Sequence, residues 1–267
     1  EIYTLSLHDA LPILVIKERI FGASGDRVLI EERLSGPEVS VLAFTDGRTI
    51  VPMVSSMDHK RAFDGDRGPN TGGMGAVAPN PHYTPELAER CMRTIFRPTV
   101  EALRAEGRPF RGCLYFGLML TADGPKVIEY NCRFGDPEAQ AVLPLLESDL
   151  FEIMLAVREE RLAEVEVRFS DGASCCVVMA SEGYPGKVSE GMEIRIGAGL
   201  PPDTVVYHSG TRRDGERLRT AGGRVLSVTA VAPTAEEARS CAYAGVGLIH
   251  FEGARDRKST RLNSSHW

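Results

Sequence analysis

Short alternations of apolar and polar residues, broken by Gly, Pro, Asn and Asp, run through most of the chain and predict strands more often than helices. Residues 27–38 form a β-rich run that ends in the turn chemistry of Ser35-Gly36-Pro37, and Val39 to Phe44 and Arg48 to Ser55 are two more strands joined at Asp46-Gly47. Together they predict an antiparallel meander. Arg111 to Thr121 is almost wholly apolar and reads as a buried strand that turns at Asp123-Gly124 into a partner, in which Val127, Ile128 and Tyr130 are the buried positions. Further strands are expected at 173–180, 204–209 and 224–230. Helical spacing is rarer. Thr84 caps and Pro85 opens a helix to about Glu106, with Leu87, Cys91, Ile95 and Leu103 near one face and a kink at Pro98. Asp136, Pro137 and Glu138 read as N-cap, first-turn proline and first-turn acid of another helix. Asp149 with Glu152 starts a third that ends near Leu162, and Thr234 with Glu237 forms a capping box for a fourth, to Val246.

The antiparallel meander and hairpin with their helices, followed by a smaller β-rich domain with one main helix, make the expected fold class α+β. The expected divisions are 14–165 and 166–255. Residues 1–13 and 256–267 clash with their surroundings and resemble translated adapter sequence, so they are set aside from fold reasoning.

Composition narrows the function. Of 267 residues, 43% are hydrophobic and 25% charged, which is ordinary for a globular chain, and the net charge of −6 argues against a general nucleic-acid surface. Any phosphate must be held locally, by loops and metal. The six cysteines show no C-x-x-C spacing, which argues against zinc and for reduced thiols in a cytoplasmic protein. No apolar run approaches the roughly 20 residues of a membrane-spanning helix.

Three stretches carry candidate chemistry. Glu129 and Asn131 are two apart on a strand and leave it on the same side, giving a hard-oxygen corner suited to Mg²⁺ or Mn²⁺. Arg133 and the helix start at Asp136 follow at once. A solvated strand with a surface cation is the plainer reading, and the pattern alone leaves both open. Met57 to Gly75 is long, aperiodic and glycine-rich, and holds Lys60, Arg61 and Arg67. It reads as an anion-cradling loop or a flexible one, and it fits neither the Walker lysine motif nor G-x-G-x-x-G. Glu31, Glu32 and Glu38 form either an acidic edge or an adenosine site in which Leu34 packs under the base.

Several separate motifs then point one way. Glu129-Tyr-Asn-Cys-Arg-Phe-Gly-Asp-Pro-Glu-Ala-Gln140, the loop from Asp58-His-Lys-Arg61 to Gly68-Pro-Asn-Thr-Gly-Gly-Met-Gly75, Tyr184-Pro-Gly186 and Gly222-Gly-Arg-Val-Leu226 together resemble the phosphoribosylamine–glycine ligase (glycinamide ribonucleotide synthetase) family of ATP-grasp enzymes, over essentially Leu14 to Arg255. The resemblance implies ATP-dependent joining of glycine to 5-phosphoribosylamine through glycyl phosphate, a step of de novo purine synthesis. It implies Glu31 and Leu34 at adenine, Glu38 at ribose, Glu129 and Asn131 as ligands of Mg²⁺ or Mn²⁺, and Lys60, Arg133 and Asp136 around the chemistry. Asp58, Arg61, Asn70, Thr71 and Gly72 are implied at the substrates. Relative to that family the chain lacks the amino-terminal domain and the lysine-bearing strand of the ATP clamp. The expectation is therefore a truncated ligase, inactive or barely active alone. No acid occurs in Leu114 to Leu120, where many ATP-grasp proteins place a further ligand. Another ATP-grasp ligase and a stand-alone nucleotide-binding module are the alternatives. Fusion to other purine enzymes is not set by the sequence.

Overall fold

The computed structural model describes residues 29–63, 65 and 67–256, together with Arg19 and the stretch 22–27. Most of the two expected tail segments lies outside the described residues. The chain divides at Gly36. On the amino-terminal side residues 22–26 form a 3-10 turn and 29–35 have no regular structure, so the β-rich run expected from 27 onward forms no strand over its described residues 29–35.

From Pro37 onward the chain is built of antiparallel ladders. β1 (Glu38–Thr45) pairs with β2 (Ile50–Pro52), much shorter than the run 48–55 expected. The turn between them is held by Asp46, whose Oδ1 accepts from the N–H groups of Arg48 and Thr49. The supposed loop 57–75 is largely strand. β3 (Met57–Asp58) leads into a ribbon of β4 (Arg61–Phe63) and β5 (Arg67–Asn70), and β6 (Gly75–Ala78) returns to pair with β3. The helical segment runs as α1 (Pro85–Cys91), a π-helical stretch Met92–Phe96, and α2 (Arg97–Ala105). The widened π turn falls just before Pro98, where an ideal α ladder would meet a residue without an N–H.

β7 (Gly112–Thr121) and β8 (Gly124–Asn131) form the expected hairpin, completing a sheet in the order β2-β1-β7-β8. One face of it meets α1 and the π-helical stretch through Val41, Phe96, Leu114 and Phe116. The other face, through Leu42, Phe44 and Tyr115, meets α3 (Glu138–Val142) and α4 (Leu150–Arg158). Helix α3 is only five residues, and Asp136 does not cap it. The Asp136–Pro137 peptide is cis, Pro137 occupies the cap position, and no side-chain cap bond is made. Asp149 does cap α4, accepting from Phe151 N and Glu152 N, and the helix ends at Arg158, not Leu162.

The C-terminal third adds β9 (Ala173–Ala180), β10 (Glu193–Ile196), β11 (Thr204–His208), β12 (Thr211–Asp214), β13 (Arg217–Thr220), β14 (Arg224–Ala232), α5 (Ala235–Val246) and β15 (Ile249–His250). The Thr234–Glu237 capping box is present. The sheet β11-β14-β9-β6-β3 contains strands from both sides of residue 165, so residues 57–78 and the C-terminal third share one ladder. Antiparallel sheets with few helices are the α+β architecture expected. All six cysteines are free thiols, four of them buried. Among the described residues, no helix is long and apolar enough to cross a membrane.

Candidate active site

Register in the first sheet gathers the site residues. Ser40 pairs with Gly117 and Gly117 with Glu129, while Leu42 pairs with Tyr115 and Tyr115 with Asn131. Directly opposed residues share a face and alternate residues return to it, so Glu38, Ser40, Tyr115, Gly117, Glu129 and Asn131 lie on one side of the sheet. Tyr130 takes the other side, its ring 5.5 Å from Phe116 and its hydroxyl 3.1 Å from Thr99 Oγ1. Tyr130 is 47% exposed, so β8 is half-buried rather than the buried strand expected. A Cβ on Gly117 would stand 2.9 Å from Glu129 Cγ. The glycine therefore makes room for the Glu129 side chain.

Over this face hang residues of the glycine-rich excursion. Lys60 Nζ is 3.0 Å from Glu38 Oε2. Burial works against the ammonium, but Glu38, then Glu129 and Asp58, outweigh it and hold the Lys60 pKa above its usual value. Asp58 moves the other way for a carboxyl. Burial first, then the charge of Glu138, push it up to about 8 against the pull of Lys60. Its Oδ1 is enclosed and has no hydrogen-bond partner among the described residues.

Glu138 and Tyr115 are functional candidates that sequence reasoning missed. Glu138 is 4% exposed and its Oε1 accepts from Tyr115 at 2.9 Å and from Ser40 Oγ at 3.3 Å. Ser40 Oγ and the Tyr115 hydroxyl are themselves 2.8 Å apart. Burial and the Glu138 charge push the Tyr115 hydroxyl far up, keeping it a donor. The acid was visible at 138 but read as a helix-start charge. Its partners are 23 and 98 residues away, and no local spacing signals them.

The remaining predicted residues take varied places. Thr71 donates from N and Oγ1 to the Lys60 carbonyl and closes the ribbon. Arg61 Nη1 donates to Gly68 O, and Asn70 pairs with Arg61 at the exposed end of the same ribbon. Gly72 N donates to the Tyr184 hydroxyl. Arg133 is exposed and bonds the Phe134 carbonyl. Asp136 Oδ1 accepts from Gln140 and lies 3.1 Å from Arg224 Nη1. Glu31 is exposed and Leu34 half-buried, both in the segment before Pro37.

Whether a divalent ion fits is answered by the donors. Among the described residues there is no group of three or more His, Cys, Asp or Glu side chains that could hold a metal. The protein offers instead one exposed carboxylate and one amide on a shared face, beside Lys60 and a surplus of carboxylates. That sparse oxygen set suits Mg²⁺, which keeps waters and takes phosphate oxygens, better than a metal needing a full cage. A groove of about 760 Å³ between the helices and β8, lined by Thr99, Leu103, Phe110, Val127 and Tyr130, opens on the opposite face.

A doubly braced antiparallel sheet with a carboxylate–amide pair at its edge strand defines an ATP-grasp chain. The biotin carboxylase domain of 2-oxoglutarate carboxylase from Hydrogenobacter thermophilus shares this fold, with TM-score 0.59 at 15% identity over 82% of this chain and 46% of that one. Two family models then match, the phosphoribosylglycinamide synthetase ATP-grasp (A) domain over residues 9–139 and the phosphoribosylglycinamide synthetase C domain over 174–259. The chain belongs to the phosphoribosylglycinamide synthetase family. It is 46% identical over 245 residues to the phosphoribosylamine–glycine ligase of Caldanaerobacter subterraneus, covering 92% of this chain and 58% of that protein. The crystal structure of the Thermotoga maritima phosphoribosylamine–glycine ligase superposes with TM-score 0.76 at 37% identity, over 86% of this chain and 56% of that one. The chain thus spans little more than half the length of these relatives.

Proposed function

We propose that the chain supplies the metal- and phosphate-holding part of an enzyme that joins glycine to 5-phosphoribosylamine, with ATP converted to ADP and phosphate through glycyl phosphate. The observation that carries this reading is the shared face on which Glu129 and Asn131 stand, with Glu129 close enough to Lys60 of the glycine-rich excursion to raise its pKa.

Glycine's carboxylate is a poor electrophile and must first meet the terminal phosphoryl group of ATP. Two unit charges about 4 Å apart repel by roughly 4 kcal/mol at an effective dielectric near 20, an effect worth nearly three decades in rate. Mg²⁺ or Mn²⁺, held by Glu129 and Asn131, would supply charge cancellation at the phosphates. Lys60 and Arg133 add cationic donors. Asp58 keeps an enclosed oxygen without a donor, suited to an ammonium or amine on glycine or phosphoribosylamine, with Arg61, Asn70 and Thr71 shaping the ribbon above it. Asp136 orders the turn that leads to Glu138. Glu31, Leu34 and Glu38 are assigned to adenosine. The setting proposed is the cytoplasm, in which the free thiols stay reduced.

The test uses the protein made from its complete reading frame, with ADP formation followed as a function of glycine and phosphoribosylamine. Glu129→Ala is expected to lower turnover by about 10²-fold or more while circular dichroism stays unchanged. Full activity of that variant at saturating magnesium would remove the metal assignment, and with it this reading.

A further inference from the structure

Tyr184-Pro-Gly186 and Gly222-Gly-Arg-Val-Leu226 have no part in the chemistry above, yet the structure sets both against the glycine-rich excursion. Arg224 opens β14, and its Nη1 donates to Gly72 O at 2.7 Å and to Asp136 O at 2.8 Å, with Gly73 O at 3.5 Å. The same nitrogen is 3.1 Å from Asp136 Oδ1. The Tyr184 hydroxyl accepts from Gly72 N at 3.0 Å. Its ring lies over Gly223, where a Cβ would stand 2.4 Å from Tyr184 Cδ2.

From these contacts we propose that Arg224 and Tyr184 are positioning residues for the reaction, a latch from the C-terminal third that fixes Gly72-Gly73 against the Asp136-Pro137 turn. What the latch closes over is Asp58. A Cβ at Gly73 (φ +104°) would stand 2.3 Å from Pro137 Cδ and 2.7 Å from Asp58 Oδ1. Gly73 therefore seals Asp58 on one side and packs on the turn, and any outward movement of Gly72-Gly73 uncovers the carboxyl. Two adjacent glycines have the largest backbone freedom of any pair, so their place must be imposed by partners. The two N–H bonds of Nη1 serve the Gly72 and Asp136 carbonyls while the delocalised guanidinium charge lies beside the Asp136 carboxylate, an arrangement that the shorter-reaching, more strongly hydrated lysine ammonium reproduces only in part. The kinetic consequence rests on the ligase reading; the mechanical one does not.

The experiment compares Arg224→Ala, Arg224→Lys and Tyr184→Phe with Arg255→Ala, which breaks an exposed 3.6 Å pair with Glu182 and serves as a control. In protein made from the complete reading frame, amide hydrogen exchange is followed at residues 71–75 and 136–138, alongside separate KM values for glycine, phosphoribosylamine and ATP. Arg224→Ala should speed exchange in both segments by about tenfold or more while the interior of β9 stays protected. It should raise KM for glycine or phosphoribosylamine well beyond any change for ATP. Arg224→Lys should recover part of this, Tyr184→Phe should loosen 71–73 alone, and Arg255→Ala should match wild type. Unchanged exchange at 71–73 in Tyr184→Phe or Arg224→Lys would overturn the latch even if Arg224→Ala fails to fold. So would loosening spread evenly over the whole molecule. A wild-type protein without ligase activity would sink the proposed reaction and leave the exchange result to judge the latch.

Discussion

Asp58 shows how one side chain records the demands of its site. Its folded pKa lies near 8, against an ordinary 3.8, chiefly through burial and then through Glu138. The folded protein therefore holds the proton more tightly than the unfolded chain does. The contribution is fully present below about pH 4, declines as pH rises, and falls no further above about pH 8. Urea midpoints measured from pH 5 to 8 without divalent ions should fall, and Asp58→Asn should flatten that fall and be more stable than wild type at pH 8. An equal slope in the variant would place the titration elsewhere. At this scale legibility followed chain distance. Glu129 and Asn131 were readable because strand alternation fixes their shared side from two positions. Asp136 was misread because its carboxylate meets Arg224, 88 residues on, instead of capping the helix.

Among the elements, the hairpin β7–β8 was the most legible, since ten nearly apolar residues followed by Asp-Gly leave little alternative. The stretch 29–35 looked like a strand by composition, yet among the described residues no strand pairs with it, and Leu29 and Ile30 stay 71% and 75% exposed. β-propensity expresses itself only on a ladder. The converse error was at 57–75, where glycines hid three short strands: β3 pairs with β6, which pairs in turn with β9, while β4 and β5 pair with each other. Packing across β7 is a direct test of the helical layer. The Phe116 ring is fully buried, 4.4 Å from Phe96 and 5.5 Å from Tyr130. Phe116→Ala should cost about 3–5 kcal/mol by denaturant titration. A loss below 1 kcal/mol would mean that the two helices carry little of the stability.

For the whole body from Pro37 on, the five-stranded sheet decides how the molecule comes apart. β9 is buried at all eight positions and is flanked by β14 on one side and β6 on the other. Calorimetry on residues 37–256 should give a single transition with equal calorimetric and van't Hoff enthalpies. Two resolved peaks would show that the ladder at β6–β9 does not couple the halves. The division expected near 165 rests on the turn-rich composition that begins there, and the β6–β9 pairing crosses it.

That ladder also limits how such a gene can be rearranged. A cut near residue 166 would strip β9 of its β6 neighbour and bare the ladder groups of residues 174–177 along an open edge, an invitation to stick to another copy. A graft between related genes would keep its shape only if the piece around residues 57–78 travelled together with the last hundred residues, as one inherited unit.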